Sequence, residues 1–439
     1  MLILCLCFQA TQAQDPGRAF GGTDTDQFQS LCVLPNGNYA LLGRTRSKGA
    51  GSSDLYLLIV NRQGIVLNSR TIGNVRQDRG MWVEPTADGK LLVTGYEYAV
   101  APSTFGRHNT LFYRFDADLN TEIESVFDGG GGRDIGFCVR EAHGSGYIIF
   151  GYSRSFGNLG DFHVIKVDAA GNREWERAFA TAKVDFGHEL RLTSDGGYVL
   201  FGAAGGFFVP SEVEHQTEEG DMMLLKMDGQ GNEEWRRFYG GAAHELGRAI
   251  HPAPNGGWYL WGSTMSQGAG SWDMQLIRVN AAGDSLWSQT YGGADFEYGT
   301  SLDVDAEGNL YLFGTTNSLG TTGSPDLYLI KADSGGNEIW SMTIGGTESD
   351  YGHCVRVLPD GGCILGGDTR SFGMGGMDGY LVRVTSDGQI DLYGNQVGSG
   401  GTGILFPNPV TDISVMDPTL AGVEMAYEWR VYDTKGKLI

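Results

Sequence analysis

Seven acidic residues recur along the chain about fifty residues apart. Carboxylates at matching places in a repeat suit two kinds of chemistry, because they accept backbone amide hydrogens in turns and they coordinate hard cations. Calcium needs roughly six to eight converging oxygens, so we expect a structural role for these acids, with a central calcium ion as the alternative. The acid column comprises Asp26, Asp78, Asp134, Asp185, Glu245, Glu297 and Asp350. A second polar column, also expected to be structural, comprises Asp54, Asn109, Asp161, Asp221, Asp273, Asp326 and Asp378.

Signatures of known catalytic sites are absent from the sequence. No serine lies in a G-x-S-x-G motif. His244 and Glu245 begin like a zinc-protease motif, but Arg248 stands where the second histidine would be. His188 and His353 occupy one place in the repeat without a companion histidine nearby, so we interpret both as structural. We therefore predict no catalytic residues, no metal site and no cofactor.

One place in the repeat varies without any shared structural reason, three residues after the glycine that ends the second apolar run. Loops on a rigid scaffold are where binding residues gather, and aromatic, arginine and asparagine side chains suit a sugar or a protein surface. A long loop at 205–220 adds two phenylalanines beside several glutamates. The predicted ligand-binding residues are Arg46, Tyr98, Arg154, Phe207, Phe208, Asn317 and Arg370.

The elements that must position these residues are strands. Each repeat has four strand-like runs and two hairpin turns, with pairs such as Asn36-Gly37 and Asp88-Gly89 that tolerate the backbone angles of tight turns. A repeat of about fifty residues with four strands is typical of a propeller blade. The sequence therefore predicts an all-β fold, a seven-bladed β-propeller of four-stranded blades over residues 15–398. The blades are placed at about 21–72, 73–128, 129–179, 180–239, 240–291, 292–344 and 345–398.

Two further columns are expected to belong to the framework. Strand two ends in glycine in every copy, which we attribute to crowding where seven strands converge on one axis. The fourth run carries a tryptophan in four copies, replaced by Asn68, Glu124 and Tyr393 in the others, and we expect the tryptophans to pack between blades. They are Trp175, Trp235, Trp287 and Trp340.

The repeat resembles a known family through the succession Y-G-G, acid, Y-G, apolar run, D-x-x-G-N and Y-L-x-G, which is clearest at 291–314. This is the seven-bladed β-propeller (SBBP-type) repeat family of secreted bacterial proteins, and the resemblance covers about residues 17–398. It implies the propeller fold and a place outside the cytoplasm. It says little about activity, because one fold serves many functions.

Both ends of the sequence indicate export. Residues 1–13 have a short apolar core followed by small and polar residues, which is typical of a secretory signal peptide. Residues 399–403 form a glycine-rich linker. Residues 404–439, with FPNPVTD and YDTKGK, resemble part of the carboxy-terminal sorting domain of type IX secretion substrates, a small β-sandwich-like domain whose closing strand is missing here. That resemblance implies the type IX secretion machinery as a partner and the surface of a Gram-negative bacterium as the destination.

Composition excludes some classes of partner. A net charge of −22 argues against nucleic acid, because an acidic surface repels phosphate. After the signal segment, no apolar run is long enough to span a membrane as a helix. Four cysteines follow that segment without the spacing of a metal site or a disulfide framework, so we expect free buried thiols. They are Cys32, Cys138, Cys354 and Cys363. We also expect a monomer.

The sequence favours a secreted or cell-surface module that binds a glycan or protein ligand, without catalysis, on the face that carries the strand 2–3 loops. One alternative is an enzyme that acts on extracellular polysaccharide, which needs two carboxylates, or an acid and a base, facing one pocket. The other is an inert structural protein that binds nothing.

Overall fold

The computed structural model describes residues 16–98, 107–156, 159–205, 220–320 and 323–391. Within these ranges the chain forms strands and no helix, and therefore nothing among them could cross a membrane as a helix. The strands assemble into seven antiparallel sheets of four strands each. The predicted all-β, seven-bladed propeller is thus confirmed.

The strands of each blade follow one another in the chain, except that the seventh blade borrows its outer strand from the amino-terminal end. The amino-terminal strand is β1 (Arg18–Phe20). Blades one to three are β2 (Asp26–Val33), β3 (Tyr39–Thr45), β4 (Asp54–Val60), β5 (Val66–Ile72); β6 (Asp78–Pro85), β7 (Leu91–Tyr98), β8 (His108–Phe115), β9 (Thr121–Phe127); and β10 (Asp134–Glu141), β11 (Tyr147–Ser153), β12 (Asp161–Val167), β13 (Arg173–Phe179). Blades four and five are β14 (Asp185–Leu192), β15 (Tyr198–Ala204), β16 (Asp221–Met227), β17 (Glu233–Tyr239); and β18 (Glu245–Pro252), β19 (Trp258–Thr264), β20 (Asp273–Val279), β21 (Ser285–Tyr291). Blades six and seven are β22 (Glu297–Val304), β23 (Leu310–Thr316), β24 (Asp326–Ala332), β25 (Glu338–Ile344); and β26 (Asp350–Val357), β27 (Cys363–Thr369), β28 (Asp378–Val384) with β1.

The glycine near the end of each second strand lies opposite a bulge in the first strand of the same blade. In the third blade the pairing of β10 with β11 shifts register between Gly136 and Cys138. A Cβ atom on Gly151 would lie 1.9 Å from the carbonyl oxygen of Ile135, so only glycine fits. The expected cause, crowding at the axis, is wrong, because a cavity lies there, described below. The same close approach recurs at Gly43, Gly95, Gly202, Gly262, Gly314 and Gly367.

The hydrophobic core lies between neighbouring blades. Phe150 and Phe162 of the third blade, for example, pack in one cluster with Leu190 and Leu200 of the fourth. The predicted packing of the fourth-strand tryptophans between blades is also present, since a Cβ on Gly231, in a turn of the fourth blade, would meet the Trp175 ring of the third at 2.9 Å. Because strands alternate their faces, the central strands of each blade bury both faces between two neighbours.

The ring is closed by β1, which pairs antiparallel with β28 and places Phe20 opposite Gly379. From the sequence, the outer strand of the seventh blade is expected to be that copy's own fourth run, with Tyr393. Tyr393 lies outside the described residues, and the strand that pairs with β28 over Gly379–Leu381 is β1. A ring closed in this way is sealed by backbone hydrogen bonds between segments far apart in sequence.

The segment after β28 also contributes to the outer edge of the seventh blade. Val384 forms an antiparallel bridge with Ile390, and the amide of Asp391 donates to the carbonyl of Arg383 at 2.9 Å. The outer edge therefore combines residues from both ends of the propeller sequence.

Candidate functional site

The acid column lies at the links that cross from one blade to the next. All seven carboxylates are buried, and each accepts a backbone amide from the link that precedes its strand. Gly22 donates to Asp26 at 2.7 Å, and Thr181 donates to Asp185 at 2.6 Å. Among the described residues, no group of three or more His, Cys, Asp and Glu side chains is placed to hold a metal ion.

The crossing links and the strand 2–3 loops share one face of the propeller. Serine side chains of these loops accept amides of the links, as Ser318 does from Asp295 at 2.7 Å and Ser371 from Glu348 at 3.0 Å. The carboxylates of the acid column tie the same links to the first strands. We call this the entrance face, since the axial cavity opens among these elements.

A cavity of about 830 Å³ lies on the propeller axis, and side chains of all seven blades line it. The first strand of each blade supplies most of the lining. Because of the bulge, the residues on both sides of the first-strand glycine position face the axis, as Gln27 and Gln29 do in the first blade. The second strands add residues such as Arg44 and Tyr96.

The cavity is basic, in contrast to the acidic chain around it. Among the described residues that line it, eight are arginines and two are acids, whereas the whole chain has a net charge of −22. A cleft lined by one sign of charge between low-dielectric walls concentrates its electric field and attracts ions of the opposite sign. The arginines are Arg44, Arg46, Arg79, Arg133, Arg154, Arg248, Arg356 and Arg370, and the acids are Glu189 and Asp368.

A hydrogen-bonded network around Asp368 builds the wall where blades seven and one meet. Asp368 is fully buried and accepts the amide of Phe28 at 2.8 Å and the side-chain amide of Gln27 at 2.8 Å. Its carboxylate also lies 2.9 Å from Nε2 of His353. Because the carboxylate accepts, we assign the imidazole proton to Nε2.

The same network extends to two arginines through glutamine side chains. Gln27 Oε1 accepts from Nε of Arg44 at 2.8 Å, and Gln29 Oε1 accepts from Nη2 of Arg79. The side-chain amide of Gln29 lies 3.3 Å from Nδ1 of His353. Both ring nitrogens of His353 are therefore occupied, which suits a structural role rather than proton transfer. Both arginines are held by neutral acceptors, so their charges are not neutralised by these contacts.

Aromatic side chains from blades three, four and six form another part of the cavity lining. Tyr152 and Phe186 stack with their rings parallel to within 1° and their centroids 4.3 Å apart. Phe296 and Tyr298 stack at 6.2 Å, and Phe137 completes this group. We call these five residues the aromatic wall. Flat apolar faces of this kind suit the apolar face of a sugar ring.

Charged residues close the end of the cavity away from the entrance. Arg356 of the seventh blade lies 5.5 Å from the ring centroid of Trp82 in the second, so this contact joins two blades that are not neighbours. Arg140 of the third blade lies 5.4 Å from the same ring. It pairs with Glu84 at 2.6 Å and with Glu189 at 3.0 Å. We call these five residues, together with Arg191, which pairs with Glu189 at 2.7 Å, the floor.

His188 lies in the cavity wall beside another arginine. Its Nε2 is 3.3 Å from Nη1 of Arg248. Burial and the charge of Arg248 hold the pKa of His188 well below its usual range. A neutral imidazole can accept from the guanidinium, so this pair adds a fixed positive charge to the wall.

The described cysteines form no disulfide. Cys32, Cys138, Cys354 and Cys363 are free and buried, as predicted. Burial raises the pKa of Cys138 to about 12, so its thiolate is not populated near neutral pH.

Comparison with known proteins leaves the family open. No known protein-family model matches the chain. The regulatory protein FlaEY of Caulobacter vibrioides is 24% identical to this chain over a stretch that covers 27% of the chain and 15% of FlaEY. The chain thus aligns with a small part of that relative.

Solved structures with a similar arrangement have little sequence in common with this chain. YCF48 bound to a D1 peptide is 11% identical, with a TM-score of 0.47, over 84% of this chain and 97% of its own. An α-L-arabinofuranosidase from Fusarium graminearum is 11% identical, with a TM-score of 0.46, over 73% of this chain and 98% of its own. Likenesses this distant say nothing about function.

Four of the predicted ligand-binding residues line the cavity near its entrance. They come from blades one, three, six and seven, and so surround the axis. The four are Arg46, Arg154, Asn317 and Arg370.

The other predicted residues lie elsewhere or are not described. Tyr98 packs edge-on against His108, with centroids 5.0 Å apart, and lies 5.3 Å from the Arg76 guanidinium. It is not among the described residues that line the cavity. Phe207 and Phe208 lie outside the described residues.

Sequence reasoning missed the arginines and aromatic residues that the strands themselves send into the cavity. A signal for some of them exists in the residue directly after each member of the acid column. That position is Gln27 in the first blade, and Arg79, Phe186 or Tyr298 in others. Such variation is not expected of a residue that has the same structural role in every blade.

Proposed function

We propose that this protein is an extracellular, non-catalytic binding module that takes an acidic glycan into its axial cavity. The observation that carries the proposal is the charge of the cavity, where the described lining has eight arginines and two acids in a chain of net charge −22. Carboxylate and sulfate groups are the anions that arginine binds with paired hydrogen bonds. The aromatic wall suits the sugar rings that would carry them.

The contacts of the two cavity acids favour binding over glycoside hydrolysis. Glu189 forms ion pairs with Arg140 and Arg191 and accepts a hydrogen bond from the amide of Ile250. Burial alone would raise the pKa of Glu189, but the charges of these arginines outweigh it and hold the pKa below its usual range. Asp368 is held by the network described above. A hydrolase needs one carboxyl group to donate a proton and another to act as base or nucleophile. Both acids in the described lining are instead fixed in structural contacts.

The ends of the sequence support an extracellular setting. Residues 1–13 are typical of a secretory signal, and residues 404–439 resemble a type IX sorting domain. We therefore place the protein at the surface of a Gram-negative bacterium or released from it, with the type IX secretion machinery as its export partner. These segments lie outside the described residues.

A binding titration with three polysaccharides tests the proposal. Purified full-length protein is titrated with polygalacturonate, dextran sulfate and neutral dextran at low and high salt. We expect binding to at least one of the two polyanions, weakened by salt, and none to dextran. Equal binding to dextran, or no binding to either polyanion, would overturn the proposal. Release of new reducing ends or unsaturated products during the titration would favour the polysaccharide-active enzyme instead.

A further inference from the structure

We propose that Arg44 and Arg79 together form the subsite that binds the acidic group of the glycan, a carboxylate or a sulfate ester. This inference rests on the proposed function and names the part of the cavity that recognises the ligand. Neither residue belongs to the loop positions that the sequence pointed to.

The two arginines lie on adjacent blades and face the same cavity. Arg44 is on β3 of the first blade, opposite Gln27 of β2. Arg79 is on β6 of the second blade, opposite Tyr96 of β7. Because both side chains start from paired strands rather than loops, their positions are set by the rigid framework.

Neutral glutamines hold both guanidiniums. Gln27 Oε1 accepts from Nε and Nη2 of Arg44, and Gln29 Oε1 accepts from Nη2 of Arg79. Nε of Arg79 has no hydrogen-bond partner among the described residues. The protein therefore orients these groups without neutralising them or filling all their donors.

The floor shows what saturated arginines look like in the same molecule. Arg140 pairs with two carboxylates, Glu84 and Glu189, and donates through Nε to the carbonyl of Leu190 at 2.7 Å. Its donors are engaged, so it has a structural role. Arg44 and Arg79 have amide oxygens where Arg140 has carboxylates, which leaves them able to bind an external anion.

Electrostatics support the same assignment. Burial, together with the positive charges of Arg79 and Arg46, lowers the pKa of Arg44 to about 10. Like charges held close together in a partly buried wall repel one another, and a bound anion between them would relieve that repulsion. The nearest acid in the wall, Asp368, is committed to Gln27, Phe28 and His353.

The chemistry of the subsite predicts a preference for groups with two oxygens in a plane. A guanidinium presents parallel N–H groups that match such oxygens, whereas lysine supplies a single rotating ammonium. Replacing arginine by lysine therefore keeps the charge and removes the paired geometry.

The test uses Arg44→Lys and Arg79→Lys in the full-length protein, with polygalacturonate and dextran sulfate as probes. Arg62→Lys is the matched control, since Arg62 is exposed in the turn between β4 and β5 of the same blade and contacts Gly37. We expect either cavity variant to weaken polyanion binding about tenfold, as the loss of one charged hydrogen bond implies, and the control to bind like wild type. Thermal unfolding of each variant shows whether the fold is intact.

The outcomes separate the subsite from the proposed function. A loss for both probes assigns the subsite to oxyanions in general, and a loss for one probe identifies carboxylate or sulfate as its ligand. Wild-type binding that survives both folded cavity variants would overturn the subsite and leave the binding function standing. Wild type that binds neither probe would overturn both.

Discussion

The phenyl ring of Phe28 occupies the space that a side chain on Gly379 would need, because a Cβ built on Gly379 would lie 2.2 Å from that ring. In the other six blades the residue types at the matching positions are reversed. The first strand has glycine where β2 has Phe28, and the second residue of strand three carries a side chain, as in Leu55 or Phe162. Where the ring closes, the large residue is therefore on the first strand and the glycine is on the third strand, the reverse of the other blades.

This exchange predicts coupled effects on stability. Phe28→Gly removes a ring that is 1% exposed and is expected to cost at least about 3 kcal/mol. Gly379→Leu alone would clash with that ring. The double variant restores the arrangement of the other blades, so its loss should be smaller than the sum of the two single losses. Denaturant unfolding measures all three, and simple additivity would contradict the exchange.

The fold could be predicted because every blade repeats the same turns and glycines, but its closure was missed. β1 is three residues long, too short for a periodic pattern. Its residues, Arg18-Ala19-Phe20, match Arg177-Ala178-Phe179 at the end of β13, and that match was the signal. When a sequence typical of the end of a fourth strand precedes the first blade, that segment is the fourth strand of the last blade.

Of the residues that line the candidate site, comparison of the blades in sequence selected only ones that lie near its entrance. Comparison of loop positions identified Arg46, Arg154 and Arg370, because loops vary when no framework need constrains them. Arg44 and Arg79 lie on strands, where alternation assigns one face to the core and does not show which residues face an open axis. The bulge makes this harder, since it turns two nearby residues of the first strand toward the same side.

The close approach at the bulge predicts that strand-two glycines tolerate no side chain. In Gly151→Ala the new Cβ would lie 1.9 Å from the carbonyl of Ile135, and we expect a loss of about 3 kcal/mol. Gly308→Ala is the control, because its Cβ meets nothing within 4 Å and only its positive φ of 86° is unfavourable, worth about 1 to 2 kcal/mol. Chemical unfolding compares them, and equal losses would contradict the steric argument.

Two members of the acid column make stability depend on pH. Burial raises the pKa of Asp78 and of Asp185 to about 6 from an ordinary 3.8. Since the folded state then holds the proton more tightly than the unfolded one, the stabilisation is complete below 3.8 and is lost as the pH rises through about 6. We expect the denaturant concentration at the midpoint of unfolding to decrease as the pH rises from about 4 to about 6.5, and to change little from these two groups above that.

Variants test the assignment of this pH dependence. Asp78→Asn and Asp185→Asn should each flatten the decline, because the amide cannot ionise. Asp195→Asn is the control, since the Thr193 hydroxyl, the Gly197 amide and Lys226 hold the pKa of Asp195 below its usual range, outside this pH window. A decline as steep in the two column variants as in wild type would show that other groups are responsible.

The floor predicts a strong dependence on its buried ion pairs. Arg140→Met leaves Glu84 and Glu189 without this partner, and we expect a loss of about 3 to 5 kcal/mol. Glu122→Gln removes the charge of a carboxylate that pairs with Lys90 and Arg114 at the surface, and should cost much less, because solvent screens exposed pairs. Urea unfolding compares them. A small loss for Arg140→Met would mean that the floor does not depend on paired charges.

Entrance and subsite should differ in the rates they control. Arg46, Arg154 and Arg370 surround the entrance, where charges guide an approaching polyanion, so replacing all three by alanine should slow association several-fold and reduce the effect of salt. Arg79→Lys changes the paired hydrogen bonds made after arrival and should raise the dissociation rate. Surface plasmon resonance with immobilised polygalacturonate separates the two rates at each salt concentration. If the triple variant changed only dissociation, the entrance arginines would be direct contacts of the bound ligand rather than guides to the cavity.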